Sequence, residues 1–183
     1  MADLRFEDKV EAVHEALRAA EVPHAIGGAL ALAFYGEPRA TKDIDVNVFI
    51  PVEHRSVVVA AFAKLGIVTT DRADPDRDGW EQFKWGQIPV DVYYAYDPFH
   101  EAMQRDARDL PYGEPLLPFL SPEHLAACKA IFDRPKDWLD LDQMLFALDE
   151  FDSAEALHWV EHVVGSDDER YRRFADAIER LRG

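Results

Sequence analysis

Arg39-Ala40-Thr41-Lys42-Asp43-Ile44-Asp45-Val46, with the glycine pair Gly27-Gly28 upstream of it, is the stretch on which the reading of this chain turns. Residues 44–51 carry β-branched and apolar side chains at alternate positions and read as a strand. Side chains alternate faces along a strand, so Asp43 and Asp45 project to one side while Ile44 and Val46 turn into a core. Two carboxylates about 7 Å apart on one face repel each other unless something positive lies between them, and a divalent cation supplies that charge. A third acid, Asp91, stands between Val90 and Val92 in a second β-like run over residues 88–94. A carboxylate inside an apolar strand is costly without a partner. If the two strands are neighbours, the three acids converge.

Working outward, His24-Ala25-Ile26 is a short apolar strand, and an alanine- and leucine-rich helix follows over residues 29–35, stopped at Gly36. Gly27 and Gly28 between them let the backbone approach a phosphate near a helix N-terminus. Residues 7–21 carry Val10, Val13, Leu17 and Ala20 at helical spacing, ended by Pro23. A helix over 53–65, a strand over 67–70, a charged loop over 72–79 and a hairpin of 80–85 with 88–94 around Gly86-Gln87 complete the first part.

After Tyr96 the character changes. Five prolines from Pro98 to Pro122 punctuate a linker-like stretch with one helix over 99–108. Beyond Ser121, an N-cap residue, only helical patterns remain, over 136–149, 153–164 and 167–181. The expected organisation is an α/β core over residues 1–110 and a helical C-terminal subdomain over 111–183.

With 183 residues, 48% of them hydrophobic, the chain can build a core without staples. Its one cysteine, Cys128, excludes an internal disulfide and favours a reducing, cytoplasmic setting. No apolar run reaches the roughly 20 residues of a membrane span, and residues 1–10 lack the apolar segment of a secretory signal. The net charge of −16 opposes broad binding to phosphate backbones.

Oxygen-only ligands suit magnesium rather than zinc. Two magnesium ions about 3.5–4 Å apart form a clamp suited to in-line phosphoryl or nucleotidyl transfer. Gly-Gly, a helix, Asp-x-Asp on a strand and a third Asp on a later strand resemble the DNA polymerase beta-type nucleotidyltransferase superfamily. Tyr35-Gly36 and Arg39-x-Thr41-x-Asp43-Ile44-Asp45 resemble its small bacterial branch, which includes abortive-infection (AbiEii-type) toxins and minimal or antibiotic-type nucleotidyltransferases. The resemblance continues through Leu120-Ser121-Pro122-Glu123-His124-Leu125 to Lys129, and through Arg134-Pro135-Lys136-Asp137-Trp138-Leu139-Asp140.

That resemblance implies an α+β fold, a nucleotidyltransferase-type mixed β-sheet flanked by helices and followed by a helical subdomain. It implies transfer of an NMP from an NTP, ATP among the candidates, to an acceptor with release of pyrophosphate. Asp43, Asp45 and Asp91 would be catalytic and would hold two Mg²⁺ ions. Gly27, Gly28, Thr41, Lys129 and Asp137 would serve the nucleotide, with Arg39 and Lys42 as further phosphate neighbours. On charge, a small molecule or protein is favoured over RNA as acceptor. The toxin branch would instead imply tRNA and an antitoxin partner. A noncatalytic nucleotide-binding module of the same fold, and dimerisation through apolar faces of the C-terminal helices, are the other readings.

Several features have plainer readings. Asp43 and Asp45 can be a solvated strand end, Lys129 can snorkel from an apolar helix face, and Asp137 and Asp140 can simply charge a first helical turn. Residues 74–79 imitate the start of an EF-hand loop, but Trp85 stands where the bidentate glutamate belongs. His158 and His162 are four apart on a helix with no third ligand evident, so a structural pair is the better reading. Trp80, Phe83 and Trp85 read as hairpin core before a base-stacking surface.

Overall fold

A computed structural model describes residues 4–183; the first three residues of the stretch read for a secretory signal lie outside the described residues. In chain order the elements are α1 (Phe6–Ala19), β1 (His24–Ile26), α2 (Gly28–Leu32), β2 (Ile44–Val48), a 3-10 turn (Val52–His54), α3 (Arg55–Ala63), β3 (Val68–Thr69), α4 (Pro75–Asp78), β4 (Trp80–Trp85), β5 (Ile88–Tyr94), α5 (Pro98–Arg105), β6 (Arg108–Pro111), β7 (Leu116–Phe119), α6 (Pro122–Phe132), α7 (Pro135–Ala147), α8 (Ser153–Val164) and α9 (Glu169–Arg182). The fold is α+β. The strands form one mixed sheet in the order β3-β4-β5-β2-β1-β7-β6. No helix among the described residues is long and apolar enough to cross a membrane.

The chain divides into two compact units. The first comprises residues up to 27 together with 41–119 and holds the whole sheet. Ile44, Val46, Val90 and Val92 are fully buried on one sheet face, and Phe83 joins them opposite Val90. Phe62 of α3 meets Phe83 edge-on at 5.0 Å between ring centroids. Val10, Val13 and Leu17 of α1 are buried, as their spacing predicts. Each such side chain contributes about 1.5–3 kcal/mol by leaving water.

Two local readings are corrected here. Residues 108–119 are a hairpin of the sheet rather than a linker: β6 pairs antiparallel with β7, and Ile26 of β1 aligns in parallel with Phe119. Pro111 and Pro118 obscure this, because proline argues against a strand except at an edge; Pro111 lies in β6, an edge strand of the sheet, whereas Pro118 lies in β7, between β1 and β6. Within the charged loop, Pro75 to Asp78 forms a single helical turn capped by Asp74.

The second unit comprises residues 28–40 and 120–183. Ser121 Oγ caps α6 by accepting from the His124 N–H. The Tyr35 hydroxyl donates to the Leu120 carbonyl at 2.9 Å. The core of this unit gathers Leu125, Ala126 and Ala130 of α6, Trp138, Leu141 and Met144 of α7, Val160 of α8 and Phe174 of α9. The helix after Gly28 is shorter than its pattern suggests, ending at Leu32.

Candidate active site

Strand register assembles the carboxylates. β2 and β5 run parallel, and Asp45 lies directly opposite Asp91. Antiparallel β4 then places Gln82 opposite Asp91 from the other side. Gln82, Asp91 and Asp45 therefore form a row across three adjacent strands, on the face away from Ile44, Val90 and Phe83. Neighbouring strands lie about 4.8 Å apart, so two acids in register crowd each other and like charge there is destabilising.

The surrounding groups fix these acids in place. Gln82 Nε2 donates to Asp91 Oδ1 at 2.7 Å. The Thr41 hydroxyl donates to Asp43 Oδ1, just ahead of β2. The backbone N–H of Gly27 donates to the Asp45 carbonyl at 2.9 Å, which brings the end of β1 alongside the acid-bearing strand. Gly28 follows with φ of +56°, a left-handed conformation that favours glycine. The first unit thus brings together Asp43, Asp45, Asp91, Thr41 and Gly27. Lys42 is exposed.

Lys129 and Asp137 belong to the second unit and form a buried ionic cluster there. Lys129 Nζ lies 2.6 Å from Asp140 Oδ2 and 3.9 Å from Asp137 Oδ1. Arg39 reaches Asp140 at 3.2 Å, and Arg134 reaches Asp137 at 2.5 Å. Lys129, Asp137 and Asp140 are all at most 4% exposed, so Lys129 does not snorkel and the aspartates are more than first-turn charges. Three cations face two carboxylates, which meets the requirement that buried charge be paired.

Gln82 and the coupling of Arg39 to Asp140 escaped the sequence reading. A signal for Gln82 existed: counting back equally from the turn at Gly86-Gln87 sets it against Asp91. None exists for Arg39 and Asp140, which are distant in sequence. The other motifs are locally satisfied. Asp74 and Asp78 accept hydrogen bonds within their own turn, and the rings of His158 and His162 flank the Trp159 ring at 4.8 and 5.6 Å.

The residues present fit magnesium: in-register acids on one face, with an all-oxygen donor set. Two like charges so placed are eased by a cation between them.

The chain has the nucleotidyltransferase fold. Over 95% of both chains it superposes on the antibiotic-resistance factor ANT(2'')-Ia, with a TM-score of 0.61 and 16% identity. The lincosamide antibiotic adenylyltransferase LnuA, solved with lincomycin bound, matches 78% of this chain and 98% of its own at TM-score 0.58 and 14% identity. An antigenic nucleotidyltransferase-like protein from Paracoccidioides brasiliensis matches 94% of this chain and 91% of its own at TM-score 0.55 and 15% identity. No protein-family profile and no curated protein matches the sequence.

Proposed function

We propose that this protein is a magnesium-dependent nucleotidyltransferase that moves an NMP from an NTP to an acceptor. The bond formed joins the acceptor oxygen to the α-phosphorus, and the bond broken releases pyrophosphate. The observation that carries the reading is the register of Asp45 against Asp91 on neighbouring parallel strands, with Asp43 one alternation before Asp45. Asp43, Asp45 and Asp91 would hold the metal, two ions in the full arrangement. When bound, magnesium supplies charge neutralisation at the triphosphate and at the attacking oxygen.

The chain's own groups do the rest. Asp91, oriented by Gln82, receives or directs the proton of the acceptor. Thr41 keeps Asp43 in one rotamer, so that its carboxylate is preorganised rather than ordered by the substrate. Gly27 and Gly28 offer backbone close to phosphate, and Lys129 and Asp137 serve the nucleotide. In this division of labour the sheet-bearing unit, with β6 and β7 included, carries the chemistry, and the helical unit supports the nucleotide. The net charge of −16 favours a small cationic or neutral acceptor over RNA, and the antibiotic-linked structural neighbours support the same class.

Calorimetric titration of each of the four NTPs with Mg²⁺ tests the reading, on wild type and on Asp45→Asn. Binding by wild type that the variant loses is the expected result. Binding of no NTP by wild type, or equal binding by both, would remove the basis of the proposal.

A further inference from the structure

The sheet face that carries the carboxylates has a second row beside the first. One alternation further along the strands, register sets Trp80 of β4 against Tyr93 of β5, Tyr93 against Asn47 of β2, and Asn47 against Ala25 of β1. Alternation puts these side chains on the same face as Gln82, Asp91 and Asp45, about 7 Å from them along the strands.

Asn47 is the anomaly in that row. It is only 7% exposed, yet among the described residues its side chain makes no hydrogen bond. A carboxamide offers two donors and an acceptor oxygen, and burying them unanswered costs stability. The strand itself does not call for an amide there. Val46 and Val48 on either side are fully buried, and a strand favours an apolar side chain over asparagine. A polar group that breaks the local rule one alternation from the acids marks a position kept for a ligand.

Its neighbours define what it reads. Tyr93 stacks on Trp80 with 6.3 Å between ring centroids and 26° between planes, which sets a braced aromatic wall beside Asn47. Ala25 on the other side adds only a methyl group. The row holds no charged side chain, so it suits an uncharged group that both donates and accepts, a hydroxyl on a ring. Tyr93 stands on the same strand as Asp91, the acid assigned to the acceptor's proton, so the molecule that reaches this row is the acceptor. We propose that Asn47 is a specificity-determining residue: its carboxamide hydrogen-bonds a second hydroxyl of the acceptor, on the same ring as the reacting one, while Tyr93 supports that ring. The proposal rests on the nucleotidyltransferase reading.

Asn47→Leu keeps the size of the side chain and removes the amide. With no hydrogen bond to lose, Tm of the full chain should hold or rise, by up to about 2–4 °C. A fall of that size overturns the proposal, because it shows an amide that the fold itself needs. Pyrophosphate release is then followed with Mg²⁺ and the NTP that calorimetry selects, using methyl glycosides and myo-inositol as acceptors beside their monodeoxy counterparts. Wild type should prefer the complete hydroxyl set at one ring position by about 10- to 100-fold in kcat/KM. Asn47→Leu should narrow that preference to under about threefold and leave NTP affinity as in wild type. Equal preference in both proteins overturns the proposal, and so does release that none of these rings stimulates. The parent reading fails separately, at the earlier step, if wild type binds no NTP with Mg²⁺ before any acceptor is added.

Discussion

Gln82 Nε2 donates a hydrogen bond to Asp91 Oδ1 at 2.7 Å, from the strand next to the one that bears the acid. The amide holds the carboxylate in one orientation beside Asp45 and makes it a fixed member of the carboxylate row. On the proposed function Asp91 ligates the metal, and a ligating carboxylate depends on such hydrogen-bonded support.

Gln82→Leu should therefore keep the fold but bind metal less well. The expected loss is about tenfold or more in affinity for Mn²⁺, measured by calorimetry as a probe of the proposed magnesium site. Asp91→Asn should lose more. Wild-type affinity in Gln82→Leu would show that Asp91 needs no help from its neighbour.

Lys129 is the shared cation of Asp137 and Asp140. Lys129→Met should leave both buried acids short of charge, and removing one partner of a buried pair costs about 3–5 kcal/mol. Arg39 and Arg134 still face the acids, so the expected cost is at the lower end, about 3 kcal/mol. Urea unfolding monitored by circular dichroism measures it. A change under about 1 kcal/mol would mean that the two arginines suffice.

His24 makes stability depend on acidity. Its Nδ1 donates to the Val22 carbonyl at 2.8 Å, and its Nε2 lies 2.9 Å from His14 Nδ1. Burial pushes the His24 ring down to about 4 from 6.5, and burial lowers His14 too. Between those two values the unfolded chain takes up a proton that the folded chain refuses. Stability must then fall as pH drops from about 6.5 to about 4, by up to about 3 kcal/mol from His24 alone. Above 6.5 this contribution is constant. Unfolding curves collected at pH 7.5, 5.5 and 4.5 reveal the slope, and His24→Gln should flatten it.

Gly28 holds a φ of +56°. Gly28→Ala forces a Cβ into that left-handed conformation at a cost of about 1 kcal/mol. For a chain of this size scanning calorimetry should record a fall of about 2–4 °C in Tm. An unchanged Tm would mean that the backbone can rotate out of the left-handed region there.

Where local pattern and burial agree, the fold is legible in the sequence. Val10, Val13 and Leu17 announce α1, and Ile44 with Val46 announces β2. The carboxylate row is half legible: alternation places Asp43 and Asp45 on one face, but only the pairing of β2 with β5 sets Asp91 opposite Asp45. The β6–β7 hairpin is hidden by Pro111 and Pro118, whose local preference is overridden by the pairing of the two strands. The cluster around Lys129 is illegible for another reason. Its members come from three separate segments, and no local spacing rule connects Arg39 with Asp140.

The parallel pairing of β2 with β5 also bears on how the chain reaches its final form. β4 and β5 are joined by a short turn and can zip together locally, carrying Gln82 and Asp91 as a ready-made pair. Asp45 meets them only when β2 closes a long loop against β5, the kind of contact that folds late. On the proposed function, metal affinity would then be a clock for folding. A half-folded chain holds Asp91 in position but has no Asp45 beside it, and capture of Mn²⁺ during refolding would mark the moment at which the sheet closes.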